Sequence, residues 1–268
     1  MTFEPHQERY FSDGAQSVVP LENHYPDGFF IEPHRHRRHQ LMCALTGVVE
    51  VATPQERWVM PPRRGMWIPA GVTHDIRIMG RVRMHSLYFE PRLVADMPPQ
   101  CQVLGISDFM RVLIAEAMRL EPKVTDDRAA ALMTLLQHEV RRQPHLALSL
   151  PLPGHAALAA RCRAFLLAPD AHDTIDAWAA SLNMSRRAFT RLFKTETGPS
   201  FMEWRQQACI VSAIPRLVAG EPITTVALDL GYDNPAAFTT MFRRILGASP
   251  RAWMGGSAAP RRLSAAQT

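Results

Sequence analysis

The stretch WAASLNMSRRAFTRLFKTETG, Trp178 to Gly198, decides how this chain is read, because it returns as VALDLGYDNPAAFTTMFRRILG, Val226 to Gly247. Ser185, Phe189, Phe193 and Gly198 recur at an offset of 49 as Asn234, Phe238, Phe242 and Gly247, and Ala179 and Leu182 recur at an offset of 48 as Ala227 and Leu230. Two phased copies of one supersecondary unit are the simplest explanation. Each copy has the parts of a helix-turn-helix. A small residue, Ala179 or Ala227, sits where two helices approach closely. Four positions on comes Asn183 or Gly231, which tolerates the left-handed backbone of a tight turn. Ser185 or Asn234 then starts a second helix as its N-cap, and Pro235 follows Asn234 at a position where a missing N–H costs nothing. The phenylalanines at i and i+4 place one edge of that helix on a core. The opposite edge carries Arg186, Arg187, Thr190, Arg191 and Lys194 in the first copy. In the second it carries Ala236, Ala237, Thr240, Arg243 and Arg244. A recognition helix lying in a major groove reads bases and holds phosphates with such residues.

Outward from this duplication the chain is helical over 156–254. The segment between the units, SFMEWRQQACIVSAIPRLVAG (200–220), is expected to be one helix roughly 30 Å long, close to one turn of B-DNA. Pro215 within it should bend or interrupt the helix. The tail 255–268 is expected to be disordered. Upstream, PHLALSLPLPGH (144–155) looks like a proline-rich linker. The stretches SDFMRVLIAEAMRLEP (107–122) and DDRAAALMTLLQHEVRRQP (126–144) have helical spacing. Leu132, Leu135, Leu136 and Val140 form a stripe that serves either dimerisation or packing on the chain's own β region. From about 17 to 90, short runs such as LMCAL, GVVEVA, RWVM, MWIP, DIRIM and RMHSLYF, punctuated by Gly, Pro, Asn and Asp, read as strands of a sandwich or barrel. The expected division is 1–95, a β sensor; 96–155, a helical connector for dimerisation with its linker; and 156–254, the paired helix-turn-helix units.

Composition narrows the function classes. The chain has 268 residues, 47% hydrophobic, with a net charge of +5. That is ample for packed cores and suits two domains. Lys123 and Lys194 are the only lysines, and an arginine-dominated basic surface favours phosphate and carboxylate contacts. Four cysteines scattered without a CxxC pair argue against a disulfide framework or a thiolate metal site. The polar, acidic start MTFEPHQERYFSDG is unlike a signal peptide, and no run of about 18 apolar residues predicts a membrane span. A reduced, cytoplasmic protein is expected.

Residues 156–254 resemble the DNA-binding domain of the AraC/XylS family of transcription regulators, on the segments LNMSRRAFTRLFKTETG, WRQQA and ITTVALDLGYDNPAAFTTMFRRILGASPRAW. The resemblance implies that Arg187, Thr190 and Arg191 of the first helix and Ala236, Ala237 and Thr240 of the second face the bases. One departure is Cys209, where the family pattern has a basic residue or Gln after WRQQA; restoring a basic residue there is expected to add a phosphate or carboxylate contact.

The run PHRHRRHQL (33–41) packs three histidines and three arginines into seven positions. Its setting, Gly28-x5-His34-x-His36-x3-Gln40-x6-Gly47, resembles the first motif of cupin barrels, with Gln40 where that family usually has Glu. Pro69-x-Gly71-x-x-His74 resembles the second motif. Read as one strand, His34, His36 and Gln40 share a parity and face one way, with His74 reaching in from a neighbouring strand. Three imidazoles and a carbonyl suit a divalent transition metal such as Zn, Ni, Fe or Cu, weakened by the absent carboxylate; histidines hydrogen-bonded inside a metal-free pocket are the alternative. Arg35, Arg37 and Arg38 would then form a rim that attracts an anionic effector or is simply solvated.

The whole reads as multi-domain α+β: an N-terminal cupin-like β-barrel sensor for a small molecule or metal and a C-terminal all-α double helix-turn-helix on promoter DNA. The protein would act as a homodimer, in contact with RNA polymerase if an activator, without a membrane or catalytic role. A metal-dependent cupin enzyme with a helical appendage, and a DNA-binding protein with a purely structural cupin, are the alternatives.

Overall fold

The computed structural model describes residues 17–120, 126–146 and 148–255. Residues 1–16, Lys123 and 256–268, where disorder was expected for the tail, lie outside the described residues. Eight strands come first: β1 (Val18–Tyr25), β2 (Phe30–His34), β3 (His39–Ala44), β4 (Val48–Ala52), β5 (Glu56–Met60), β6 (Arg64–Ile68), β7 (His74–Met79) and β8 (Val82–Phe89). Then follow β9 (Gln102–Gly105), α1 (Asp108–Ala117), α2 (Asp127–Val140), β10 (His145–Leu146) and β11 (Ser149–Pro151). The C-terminal half is α3 (Ala156–Leu167), α4 (Ile175–Ser181), α5 (Arg186–Thr197), α6 (Phe201–Val218), α7 (Ile223–Asp229), α8 (Pro235–Leu246) and α9 (Pro250–Met254).

The strands form two antiparallel sheets, β1-β8-β3-β6-β9-β10 and β11-β5-β4-β7-β2. This corrects the expectation of a closed cupin-like barrel. Closure needs every strand to have two hydrogen-bonded neighbours. Here β1 and β10 end one sheet, β11 and β2 end the other, and no ladder joins them among the described residues. The sheets are open and packed face to face. The motif spacing that suggested a barrel marks turns and a pocket, and an open sandwich uses both equally well.

Strand alternation explains the continuous apolar runs. Met42, Ala44, Met66, Ile68 and Met84 pack into the space between the sheets with Val49, Val51, Ile76 and Ile78. Their neighbours Leu41, Cys43, Trp67, Leu87 and Phe89 face the other way, onto α1 and α2 through Met110, Leu113, Ile114, Leu136 and Val140. The six-stranded sheet is thus buried on both faces, so its strands lose the polar half of the usual pattern. The stripe on α2 therefore divides: Leu136 and Val140 are buried on the chain's own sheet, while Leu135 is exposed.

The proline-rich segment is a strap built into the sheets. β10 pairs with β9 at the edge of one sheet, and β11 pairs with β5 at the edge of the other. Beyond it, Pro151 O accepts from Trp204 Nε1 at 2.8 Å, and Glu196 accepts from the backbone N–H groups of Gly154 and His155 at 2.8 and 3.0 Å. The same segment that fastens the sheets to each other also fastens them to the helical half. Arg64 adds a second tie, its guanidinium 5.0 Å from the ring centre of Trp253 on α9. No helix among the described residues is long and apolar enough to cross a membrane.

Pro215 does not interrupt α6, which runs on through Val218. The proline lies in the last turn, so only the Val211 carbonyl loses its partner.

Candidate functional site

Both duplicated units fold as helix-turn-helix. In the first, Thr174 caps α4 by accepting from Ala177 N, Asn183 turns the chain at φ 54°, and Ser185 caps α5 by accepting from Ala188 N. In the second, Gly231 turns at φ 75° and Asn234 caps α8 by accepting from Ala237 N. A Cβ on Gly231 would meet Ala171 N at 3.0 Å and Asp170 Oδ1 closer still, so the turn needs glycine for space as well as for its positive φ. Phe189, Phe193, Phe238 and Phe242 are fully buried. Trp178 centres the first unit against Phe165, Phe189, Phe193, Phe201 and Trp204, and Asp173 accepts its Nε1–H at 2.7 Å.

Opposite those phenylalanines, Arg186, Arg187, Thr190, Arg191 and Lys194 are exposed on α5, and Asn234, Ala236, Ala237, Thr240, Arg243 and Arg244 are exposed at or on α8. Some already have partners. Arg186 pairs with Asp176 at 2.9 Å, the Thr190 hydroxyl donates to Arg186 O at 2.8 Å, and Arg244 donates to the side chain of Gln206 on α6. Among the described residues, Arg187, Arg191, Lys194 and Arg243 form no ion pair. Gln206 and Asp176, which orient two of these arginines, were missed in the sequence because they lie on the preceding helices, outside the recognition-helix pattern. Cys209 is buried completely and its thiol is pushed up to about 11, chiefly by that burial. An arginine there would start from the buried face of α6, which speaks against the expected phosphate contact.

The second cluster lies between the sheets. β2 ends at His34, and the chain then crosses from the five-stranded to the six-stranded sheet before β3 begins. His34, His36 and Gln40 are therefore not on one strand, as their parity suggested. His34 and its register partner His74 come from one sheet, Gln40 from the other, and His36 from the crossing between them. Ring centres are 4.3 Å apart for His34 and His74, 5.2 Å for His36 and His74, and 6.3 Å for His34 and His36. Ser86 and Tyr88 of β8 complete the site, each within 3.1 Å of the Gln40 amide nitrogen. They are legible only from the ladder, in which Gln40 pairs with Tyr88 and Met42 with Ser86. Burial pushes His74 down to about 3 and lowers His36 as well, so both rings are neutral. His39, in the same basic run, faces away: it stacks on Trp67 and its Nδ1 accepts from Ala70 N. Arg38 is buried and lies 3.7 Å from Glu90, while Arg35 and Arg37 are exposed.

These two sites fall within two recognised domain types. Residues 178–255 match the model of a helix-turn-helix domain, and residues 16–147 match that of an AraC-like ligand binding domain. The HTH-type transcriptional regulator NimR of Escherichia coli is 35% identical over 221 residues, 81% of this chain and 80% of that protein. This chain belongs to the AraC/XylS family. RipA of Corynebacterium glutamicum, also an HTH-type transcriptional regulator, is 29% identical over 126 residues, 44% of this chain and 38% of that one. The arabinose operon regulatory protein of Salmonella typhimurium is 29% identical over 92 residues, 32% of this chain and 31% of that one.

As an AraC/XylS protein the chain is a sequence-specific DNA-binding transcription regulator that responds to an effector, not an enzyme. The helix-turn-helix match covers both readers, and the ligand-binding match covers β1 to β10, α1, α2 and the histidine cluster, leaving β11 outside it.

Proposed function

We propose that the two exposed reader helices enter successive major grooves on one face of promoter DNA, and that an effector entering the histidine-lined space between the sheets controls this. The observation that carries the reading is the pairing of α5 and α8 on a single connecting helix, each with its basic edge opposite its buried phenylalanines. Eighteen residues of α6 span roughly 27 Å, the scale of one turn of B-DNA, about 34 Å. Arg187 and Arg191 suit bidentate recognition of guanine. Ala236 and Ala237 offer only apolar contact, leaving Arg243 and Arg244 to hold phosphates.

The strap supplies the route between the two sites. It is hydrogen-bonded to an edge of each sheet, and the Trp204 indole that Pro151 holds is packed against Phe165, Trp178 and Phe193. A change in sheet spacing would act on the first reader through Trp204. Phe109, Val112 and Leu135, exposed on α1 and α2, favour a homodimer joined through these helices. RNA polymerase would be a further partner if the protein activates.

Selection of binding sites from random DNA by the full chain tests the groove reading. The expected product holds two sequence elements centred about 10 base pairs apart. A single element with no second centre would overturn the two-groove arrangement.

A further inference from the structure

The second reader hangs from α6 by a joint. α6 ends at Val218, and Gly220 turns the chain towards α7 at φ 90°, where a Cβ would stand in open space. Val226, Ala227, Phe238 and Phe242 hold this reader in one apolar core with Ile210 and Ile214 of α6. Apolar burial is non-directional, so it sets closeness better than angle. Directional bonds must set the angle. Arg216 of α6 supplies one, donating to Asp229 of α7 at 2.5 Å.

The loop between α3 and α4 supplies the rest. Ala171 N donates to Leu230 O at 2.8 Å, filling an acceptor that the end of α7 leaves open. Asp170 lies against Gly231, so that a Cβ on Gly231 would meet Asp170 Oδ1 and stand 3.0 Å from its Cγ. His172 Nε2 lies 3.7 Å from Asp233 Oδ1. The loop is stiff in itself, since Asp170 Oδ1 accepts from His172 N at 2.8 Å. Its far end is fixed to the first reader and to α6. Asp173 Oδ2 accepts from Trp178 Nε1 at 2.7 Å and from Arg161 at 3.0 Å, and Asp173 O accepts from Arg205. A few residues thus run from the aromatic centre of the first unit to the turn of the second.

The two turns differ at this contact. Asn183 takes the left-handed turn of the first unit at φ 54°, and no hydrogen bond among the described residues reaches Leu182 O. The turn itself therefore accepts a side chain, and glycine at 231 answers to the loop that docks on it.

We propose that residues 170–173 are a strut that fixes the spacing and angle between the two readers, and that Gly231 is the positioning residue that seats it. The proposal rests on the reading of α5 and α8 in successive major grooves. One base pair added between two DNA elements shifts the second by about 3.4 Å and turns it by roughly 34°. A braced pair of readers cannot follow this, and the gain from binding both elements is lost when geometry forbids engaging them together. A pair free to pivot at Gly220 can follow it. The strut makes the gap between the elements part of what the protein recognises.

The test uses the full chain and duplexes carrying the site selected from random DNA, with the gap between its two elements kept or changed by one or two base pairs. Gel-shift affinities give the penalty for a wrong gap. Wild type should lose about tenfold or more for one base pair, and the loosened variants about threefold or less. Gly231→Asn is the first such variant: it borrows the residue that turns the first unit and displaces the loop. Ala171→Pro removes the N–H that Leu230 O accepts and leaves the second reader unaltered, so it keeps the proposal testable if Gly231→Asn does not fold. A merely structural role would lower affinity at every gap in parallel and leave the penalty unchanged. That result in both variants, or no penalty in wild type, would overturn the strut while leaving the two-groove reading in place. Selection that returns a single element would overturn the two-groove reading, and the strut with it.

Discussion

The two readers have one scaffold and two surfaces. The positions at which the copies agree build the unit: the N-cap, the two phenylalanines and the closing glycine, with φ 87° at Gly198 and 81° at Gly247. The positions at which they differ lie on the outer edge, where Arg187 and Arg191 stand against Ala236 and Thr240. What the duplication repeats is therefore folding chemistry; what it varies is recognition chemistry. The cores differ too. Phe193 packs with Phe189, Trp178, Phe201 and Trp204, whereas Phe242 packs with Phe238 and Trp253. The first reader has the larger aromatic support, and at these two positions it presents arginines where the second presents alanine and threonine.

The largest effect should come from the helix that joins them. Cys209→Arg places a charge in a fully buried position, with an expected cost of roughly 3–5 kcal/mol against a total stability of about 5–15 kcal/mol. Thermal unfolding and gel shift should both collapse, because α6 carries both readers. An unchanged melting temperature with tighter DNA binding would restore the family-pattern reading of this position.

Next come the cores. Phe193→Ala and Phe242→Ala should each cost about 3–5 kcal/mol, Phe193→Ala the more, since it empties a site ringed by four aromatic side chains. Denaturant melts of both variants measure the difference. Equal losses would show that the extra aromatic contacts of the first reader do not translate into stability.

Sequence carried the helical half far because its evidence is local. Caps, i,i+4 phenylalanines and turn glycines are all set within about twenty residues, and a phased repeat states them twice. It carried the β half less well because sheet order is non-local. Nothing in GVVEVA or DIRIM says which edges meet, so an open sandwich and a closed barrel share the same strand signal. The strap was missed for a related reason: in PHLALSLPLPGH the prolines outweighed His145, Leu146, Ser149 and Leu150, whose partners are over 40 residues away on β9 and β5. In the pocket the residue types were legible and their topology was not. His34 and Gln40 come from opposite sheets and are bridged by His36, and Ser86 and Tyr88 enter only through the register of β8 against β3.

The surface difference is sharpened by two arginines. Arg187→Ala should cost about 1–3 kcal/mol on the preferred site and relax selection at the bases it reads. Arg243→Ala should weaken binding to all sequences alike and lower the salt slope by about 1. Site selection by each variant, with affinities over a salt series, decides between these roles. A loss of sequence preference in Arg243→Ala as large as in Arg187→Ala would make the second reader a base reader and end the asymmetry.

The smallest effects separate folding from recognition at a single residue. Ser185 and Asn234 cap equivalent helices, each accepting one backbone N–H, and removing such a cap costs about 1 kcal/mol. Pro235 follows Asn234, presetting the helical φ and removing one of the N–H groups that needs a partner. Ser185→Ala should therefore destabilise slightly more than Asn234→Ala. Asn234→Asp divides the two roles of this residue. Its carboxylate still accepts from Ala237 N and gains from the positive end of the helix dipole, so the melting temperature should hold or rise slightly. The same charge, on an exposed side chain at the start of the second reader, would stand against DNA phosphates and weaken binding to every sequence. Melting temperature and affinity for specific and random duplexes give the answer together. If Asn234→Asp keeps both stability and affinity, the start of α8 does not approach the DNA backbone, and the second reader must sit higher in its groove than the first.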